Sequence, residues 1–254
     1  MDDARHIPSD WQRSPWPADK GLKRLALIEL GLLKPTLRTV LFETEGVSAW
    51  PLLQDEEQPH LTREGPCLFE VTASAITAMA TQKELGCGVH AWIESHLTPQ
   101  QLVNQLAPAM VACPVDEPPS LLRFYLPHVI QSLHAETAAD WHPLLFGGIG
   151  QWWRRVDGQG WQPLGTMPAQ VSVNTPWRLA LHPELYQALQ GDPEVRAFTR
   201  LLSQQHPELF ADVCACTRPQ RVQAALLAAN EAGLVETSER LAYVYRQLLS
   251  RSHA

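Results

Sequence analysis

Short β-prone segments alternate with segments of helical period as far as about residue 165, and that alternation restricts the chain to layers of strand and helix. The β-prone pieces begin with Thr39-Val40-Leu41-Phe42, closed by Gly46. Gly65-Pro66 is a turn pair that opens the next, Cys67-Leu68-Phe69-Glu70-Val71. Gly88-Val89-His90-Ala91-Trp92-Ile93 and Leu121-Leu122-Arg123-Phe124-Tyr125 follow. Residues 152–156 and 161–164 flank Asp157-Gly158-Gln159-Gly160, a hairpin signal.

The helical pieces interleave with these. Residues 20–33 repeat Leu22, Leu25, Ile28, Leu32 and Leu33 at helical spacing, and Pro35 stops the run. Residues 74–85 carry Ile76, Met79 and Ala80 on one face. Thr98-Pro99-Gln100-Gln101 combines an N-cap hydroxyl, proline at the first helical position and glutamine at the capping-box position. Leu102, Leu106 and Met110 continue that face until Pro108 kinks or ends the helix. Pro127 opens another helix, with Val129, Ile130 and Leu133 inward.

After Pro168 the pattern changes, and no strand is predicted beyond Trp177. Asp192-Pro193 starts a helix with Val195, Phe198, Leu201 and Leu202 on its apolar side. Pro219 starts a second, and Gly233 stands where a C-cap is wanted. A last helix begins near Ser238. The expected architecture is an irregular arm over 1–19 and an α/β (α+β) lobe with a short-stranded sheet over 20–165. A linker and a smaller all-helical lobe then fill 166–254.

Charge and composition narrow the function. The balance of 20 basic against 27 acidic residues gives −7, which disfavours a nucleic-acid partner. No apolar run reaches the roughly 18 residues that span a bilayer, and the first residues have no signal-peptide core, so a cytoplasmic protein without direct membrane insertion is expected. Five cysteines at irregular spacing do not form a disulfide framework, and Cys214 and Cys216 lack a second ligand pair for zinc.

A search for catalytic groups returns little. Gly86-Cys87-Gly88-Val89-His90 places a thiol near an imidazole, the basis for an alternative reading as a cysteine-dependent hydrolase using Cys87. Three positions apart on a strand, Cys87 and His90 project to opposite faces, so they do not pair without a bulge. His90, His96, His134 and His142 lack the helical spacing of a zinc hydrolase. Phe146-Gly147-Gly148-Ile149-Gly150 lacks the Lys-Ser/Thr ending of a phosphate loop and reads as a flexible connection. No cofactor and no metal is expected.

Nine tryptophans are many for this length. Neighbouring Trp152 and Trp153 on a strand face opposite sides. Either one ring is turned outward beside Arg154 and Arg155, as at a protein interface, or both faces are covered and both rings are buried. Arg123 and Tyr125 are expected on one strand face and Leu122 and Phe124 on the other. A charged group on a strand within a sheet needs an internal partner, which favours a structural role for Arg123. Arg123, Tyr125, Trp152, Trp153 and Arg154 are therefore the candidate protein-binding or motif residues.

Several fragments, taken in order, resemble a bacterial domain family that supplies type VI secretion effector adaptors and chaperones. They are Leu41-Phe42-Glu43, Gly65-Pro66-Cys67-Leu68, the helix around 102–106, Arg123-Phe124-Tyr125-Leu126-Pro127-His128, and Leu145-Phe146-Gly147 ahead of Trp152. The resemblance covers about residues 38–165 and extends loosely to Ala232-Gly233-Leu234. The family pattern has Asp where Leu126 and Glu43 stand and Arg where His128 stands. The resemblance implies a non-catalytic cytoplasmic adaptor that binds a type VI secretion effector and helps load it onto the spike protein, with the two lobes forming a cleft.

Overall fold

The computed structural model describes residues 21–43, 47–54, 59–71, 85, 88–115, 117–156, 160–169, 176–211, 213 and 217–252. The arm over 1–19, all but the last residue of the helix expected over 74–85, Cys87, Cys214 and Cys216 lie outside them. The chain divides into one unit running to Tyr186 and another starting at Gln187.

In the first unit β1 (Lys23–Glu29) lies inside a six-stranded sheet. The order is β2 (Val47–Pro51), β3 (Pro66–Val71), β1, β4 (Val89–Ser95), β7 (Ile149–Val156) and β8 (Gly160–Pro163). Every neighbouring pair in it is antiparallel. A smaller sheet pairs β5 (Val111–Pro114) with β6 (Ser120–Leu121) antiparallel and with β9 (Leu179–Leu181) parallel. The fold is mixed α/β, and β7 pairs antiparallel with β8 as the hairpin signal predicts, residues 157–159 of the expected turn lying outside the described ones.

Three expectations are corrected. Residues 23–29 are not helical: Leu25, Ala26, Leu27 and Ile28 are all fully buried, so both faces of β1 are covered. A strand buried on both faces loses the period of two and becomes a continuous apolar run, in which Leu22, Leu25 and Ile28 fall at helical spacing by coincidence. Residues 39–42 are not a strand either. Pro35 does not end a helix but opens α1 (Pro35–Glu43), whose inward face carries Leu37 and Leu41 four apart. Finally, Leu179–Leu181 is a strand, because β5 offers it a parallel edge.

The helices after α2 (Pro59–Glu64) follow their local signals. In α3 (Pro99–Leu106) the Thr98 side chain accepts from the Gln101 N–H while Gln101 Oε1 accepts from the Thr98 N–H at 2.9 Å. The helix ends at Leu106 and a 3-10 turn carries Pro108. Gln105 is buried and donates to the carbonyls of Leu145 and Gly147, both at 2.9 Å, tying α3 to the C-terminal end of α5 (His142–Phe146). Gly148, at φ 76, lets the chain turn into β7 with its carbonyl accepting from Ser95 Oγ at 3.0 Å.

Paired positions show how the sheet divides the core. Ala26 lies opposite both Phe69 and Trp92, and Trp92 opposite Trp153. These residues pack with Leu37 and Leu41 of α1. Leu25 lies opposite Ile93, and Ile93 opposite Trp152, on the other face.

The second unit is helical. Asp192 caps α7 (Pro193–Gln205), which follows α6 (Pro183–Gln190), by accepting from the Glu194 N–H at 2.7 Å. Val195, Phe198 and Leu202 of α7 meet Val222, Ala225 and Leu226 of α8 (Arg218–Glu231) and Val244 and Leu248 of α9 (Thr237–Ser252). Gly233 ends α8 with φ 74, the left-handed cap expected there. Among the described residues no helix is long and apolar enough to cross a membrane.

Candidate functional site

The Arg123–Pro127 motif is a turn, not a strand: β6 ends at Leu121, and α4 (Pro127–Ala135) begins at the proline. Phe124 and Tyr125 are therefore both buried, where strand alternation would have separated them. Leu126 takes the N-cap position with an extended backbone and no side-chain cap, as an aliphatic residue must.

Three parts of the chain converge around this turn. Glu29 ends β1, His90 lies near the start of β4, and Arg123 and Tyr125 come from the turn. Glu29 Oε2 accepts from Arg123 Nη2 and lies 3.0 Å from His90 Nε2. The His90 ring lies 4.9 Å from that of Tyr125, and Phe124 packs at 5.5 Å from Tyr125 and 6.4 Å from Trp152. The motif is thus keyed into the sheet by a polar contact at one end and by aromatic contacts on the Trp152 face.

Protonation follows from these partners. Burial pushes the Glu29 carboxyl up, but the His90 hydrogen bond and the Arg123 cation outweigh it and hold the group below its ordinary value. Burial, with the Glu29 carboxylate beside it, raises the Tyr125 phenol, which stays protonated. Burial lowers Arg123, but Glu29 reverses this and strengthens its charge. The cluster is a set of complementary groups suited to holding two segments together. The Glu29 carboxyl, the Arg123 guanidinium and the Tyr125 phenol all move away from the neutral range, where proton transfer is efficient.

The other candidates lie on β7. Trp152 is fully buried and Trp153 is 7% exposed, so the reading with one ring turned outward gives way to the one with both faces covered. Arg154 is half-buried on β7, and burial lowers its guanidinium. The structure brings together Arg123, Tyr125 and, through Phe124, Trp152. It adds Glu29 and His90. Glu29 was hidden because β1 has no strand period; its signal was an acid closing a long apolar run.

Among the described residues, no three His, Cys, Asp or Glu side chains gather where they could hold a metal ion. His142 is buried, 3.1 Å through Nε2 from the His134 carbonyl, and burial lowers its imidazole. The Cys67 thiol is likewise buried and pushed up to about 12.

Residues 26–142 match the model of a family described as a domain of unknown function (DUF4123). The DUF4123 span contains all four residues of the Glu29 cluster and stops before Trp152, Trp153 and Arg154. It therefore includes β1 from Ala26 onward, β2 to β6 and α4, and leaves out β7 and β8. No curated protein and no solved structure matches the chain.

Proposed function

We propose that this protein is a cytoplasmic adaptor or chaperone that binds a type VI secretion effector and helps load it onto the spike protein. The observation that carries the proposal is the DUF4123 match over residues 26–142, within which lie the ordered fragments from Leu41-Phe42-Glu43 to Arg123-Phe124-Tyr125-Leu126-Pro127. The Glu29 cluster supports it: a polar convergence in the first unit holds a turn to a sheet, as a binding scaffold requires. The net charge of −7 points the same way, away from phosphate backbones and toward a protein partner.

Deletion of the gene in the producing cell tests the proposal. The expected result is loss of one effector from the medium while that effector is still made, with the two proteins co-purifying from lysate. Normal secretion of every effector in the deletion strain would overturn it.

A further inference from the structure

His182 stands between β9 and α6, where an N-cap belongs, and Pro183 opens the helix after it. Three groups meet its ring. The Leu185 N–H, one of the donors left open at a helix start, donates to Nδ1 at 3.2 Å. Glu184 Oε2 lies 3.0 Å from the same nitrogen. Glu136 Oε2, from the residue that ends α4, lies 3.6 Å from Nε2. Among the described residues these two carboxylates are the charged groups paired with the ring. The side chain is 51% exposed, so protons reach it directly from solvent.

The two contacts at Nδ1 require opposite states of that atom. To accept from the Leu185 N–H, Nδ1 must offer its lone pair, so the ring is neutral and its proton is on Nε2, facing Glu136. To bond Glu184, Nδ1 must carry a proton, because an ionised carboxylate only accepts. Its own backbone N–H and the His182 ring hold Glu184 below the usual carboxylate value, so it stays ionised while an imidazole titrates. With Nε2–H already directed at Glu136, a second proton on Nδ1 makes the ring an imidazolium. One nitrogen cannot serve both partners at once.

We infer that His182 is a proton-operated cap: the neutral ring caps α6, and the protonated ring releases the Leu185 N–H and bridges Glu184 to Glu136. Imidazole is the side chain whose charge changes between about pH 8 and 5. The helix stays attached in both states. The His182 carbonyl accepts from the Tyr186 N–H at 3.0 Å, and the Tyr186 hydroxyl shares a hydrogen bond with Ser120 Oγ at 2.9 Å. What the proton changes is the first turn. The boundary between the two units falls inside α6, after Tyr186, so the exchange acts on the helix in which one unit gives way to the next. The inference does not depend on the adaptor reading, and either can fail without the other.

The experiment is an NMR titration of the full chain from about pH 8 to about 5, following the ring nitrogens of His182 and the Leu185 amide. The neutral ring should carry its proton on Nε2. As the ring protonates, the Leu185 amide shift should move with it. Protection of that amide from hydrogen exchange, corrected for the intrinsic pH dependence, should fall about fivefold, the order set by loss of one cap bond. His182→Asn keeps a cap acceptor that does not titrate, so its Leu185 amide should stay protected and unmoved. A neutral ring with its proton on Nδ1 would overturn the inference. So would a Leu185 amide that ignores the ring's titration, or one that moves as far in His182→Asn.

Discussion

Arg123 donates through Nη2 to the Glu29 carboxylate, joining the turn before α4 to the end of β1 across 94 positions of sequence. His90 shares the same oxygen of Glu29, so one carboxylate serves two strands and a turn.

Removing the shared acceptor should cost more than removing either donor. Glu29→Ala leaves Arg123 and buried His90 without it and is expected to cost about 2–4 kcal/mol. The Arg123 side chain is 39% exposed, so Arg123→Ala is expected to cost only about 1–2 kcal/mol. Urea denaturation of both variants and the double variant gives the coupling, expected at about 1 kcal/mol or more. Strict additivity would show that the contact contributes nothing to stability.

The same carboxylate sets an acid dependence. Its folded value is depressed below the ordinary 4.5, so folding favours the charged form. That contribution is complete above the unfolded value and is lost as pH falls through the lower folded one. The stability difference between wild type and Glu29→Gln should be constant above about 4.5 and shrink below it. A difference unchanged down to the acid limit of folding would contradict the assignment.

Thr98→Ala removes one half of the capping box at the start of α3 and is expected to cost about 1 kcal/mol. Thermal unfolding should show the loss, and Thr98→Ser should recover most of it. A Ser variant as unstable as the Ala variant would place the effect in the lost methyl group.

Cys67 is 1% exposed with its thiol pushed up to about 12, so the native chain holds almost no Cys67 thiolate at neutral pH. Iodoacetamide followed by peptide mapping should label Cys67 only after unfolding. Labelling in the native state at the rate of a free thiol would contradict its burial.

Local chemistry was the legible part of this chain. The Thr98 capping box, proline at the start of α4, α7 and α8, the Asp192 cap and Gly233 each occupy their expected positions, because every one is satisfied within a few residues. The misread segments are those whose neighbours are distant. β1 reads as helix because two partner strands and both covering layers remove its alternation. Val40 and Phe42 favour a strand by propensity, yet burial of Leu37 and Leu41 beneath α1 prevails.

The candidate site divides the same way. Arg123 and Tyr125 were visible as a motif, and the need of a charged group there for an internal partner followed from elementary electrostatics, although the strand on which it was argued is a turn. By itself the sequence determined the caps, the hairpin, the helical second unit and the requirement that Arg123 find a partner. The tertiary structure alone decided that the partner is Glu29, that His90 shares it, and that Trp152 and Trp153 are both covered. Sequence spacing encodes contacts along a single helix or strand, whereas strand order and register bring together groups 94 positions apart.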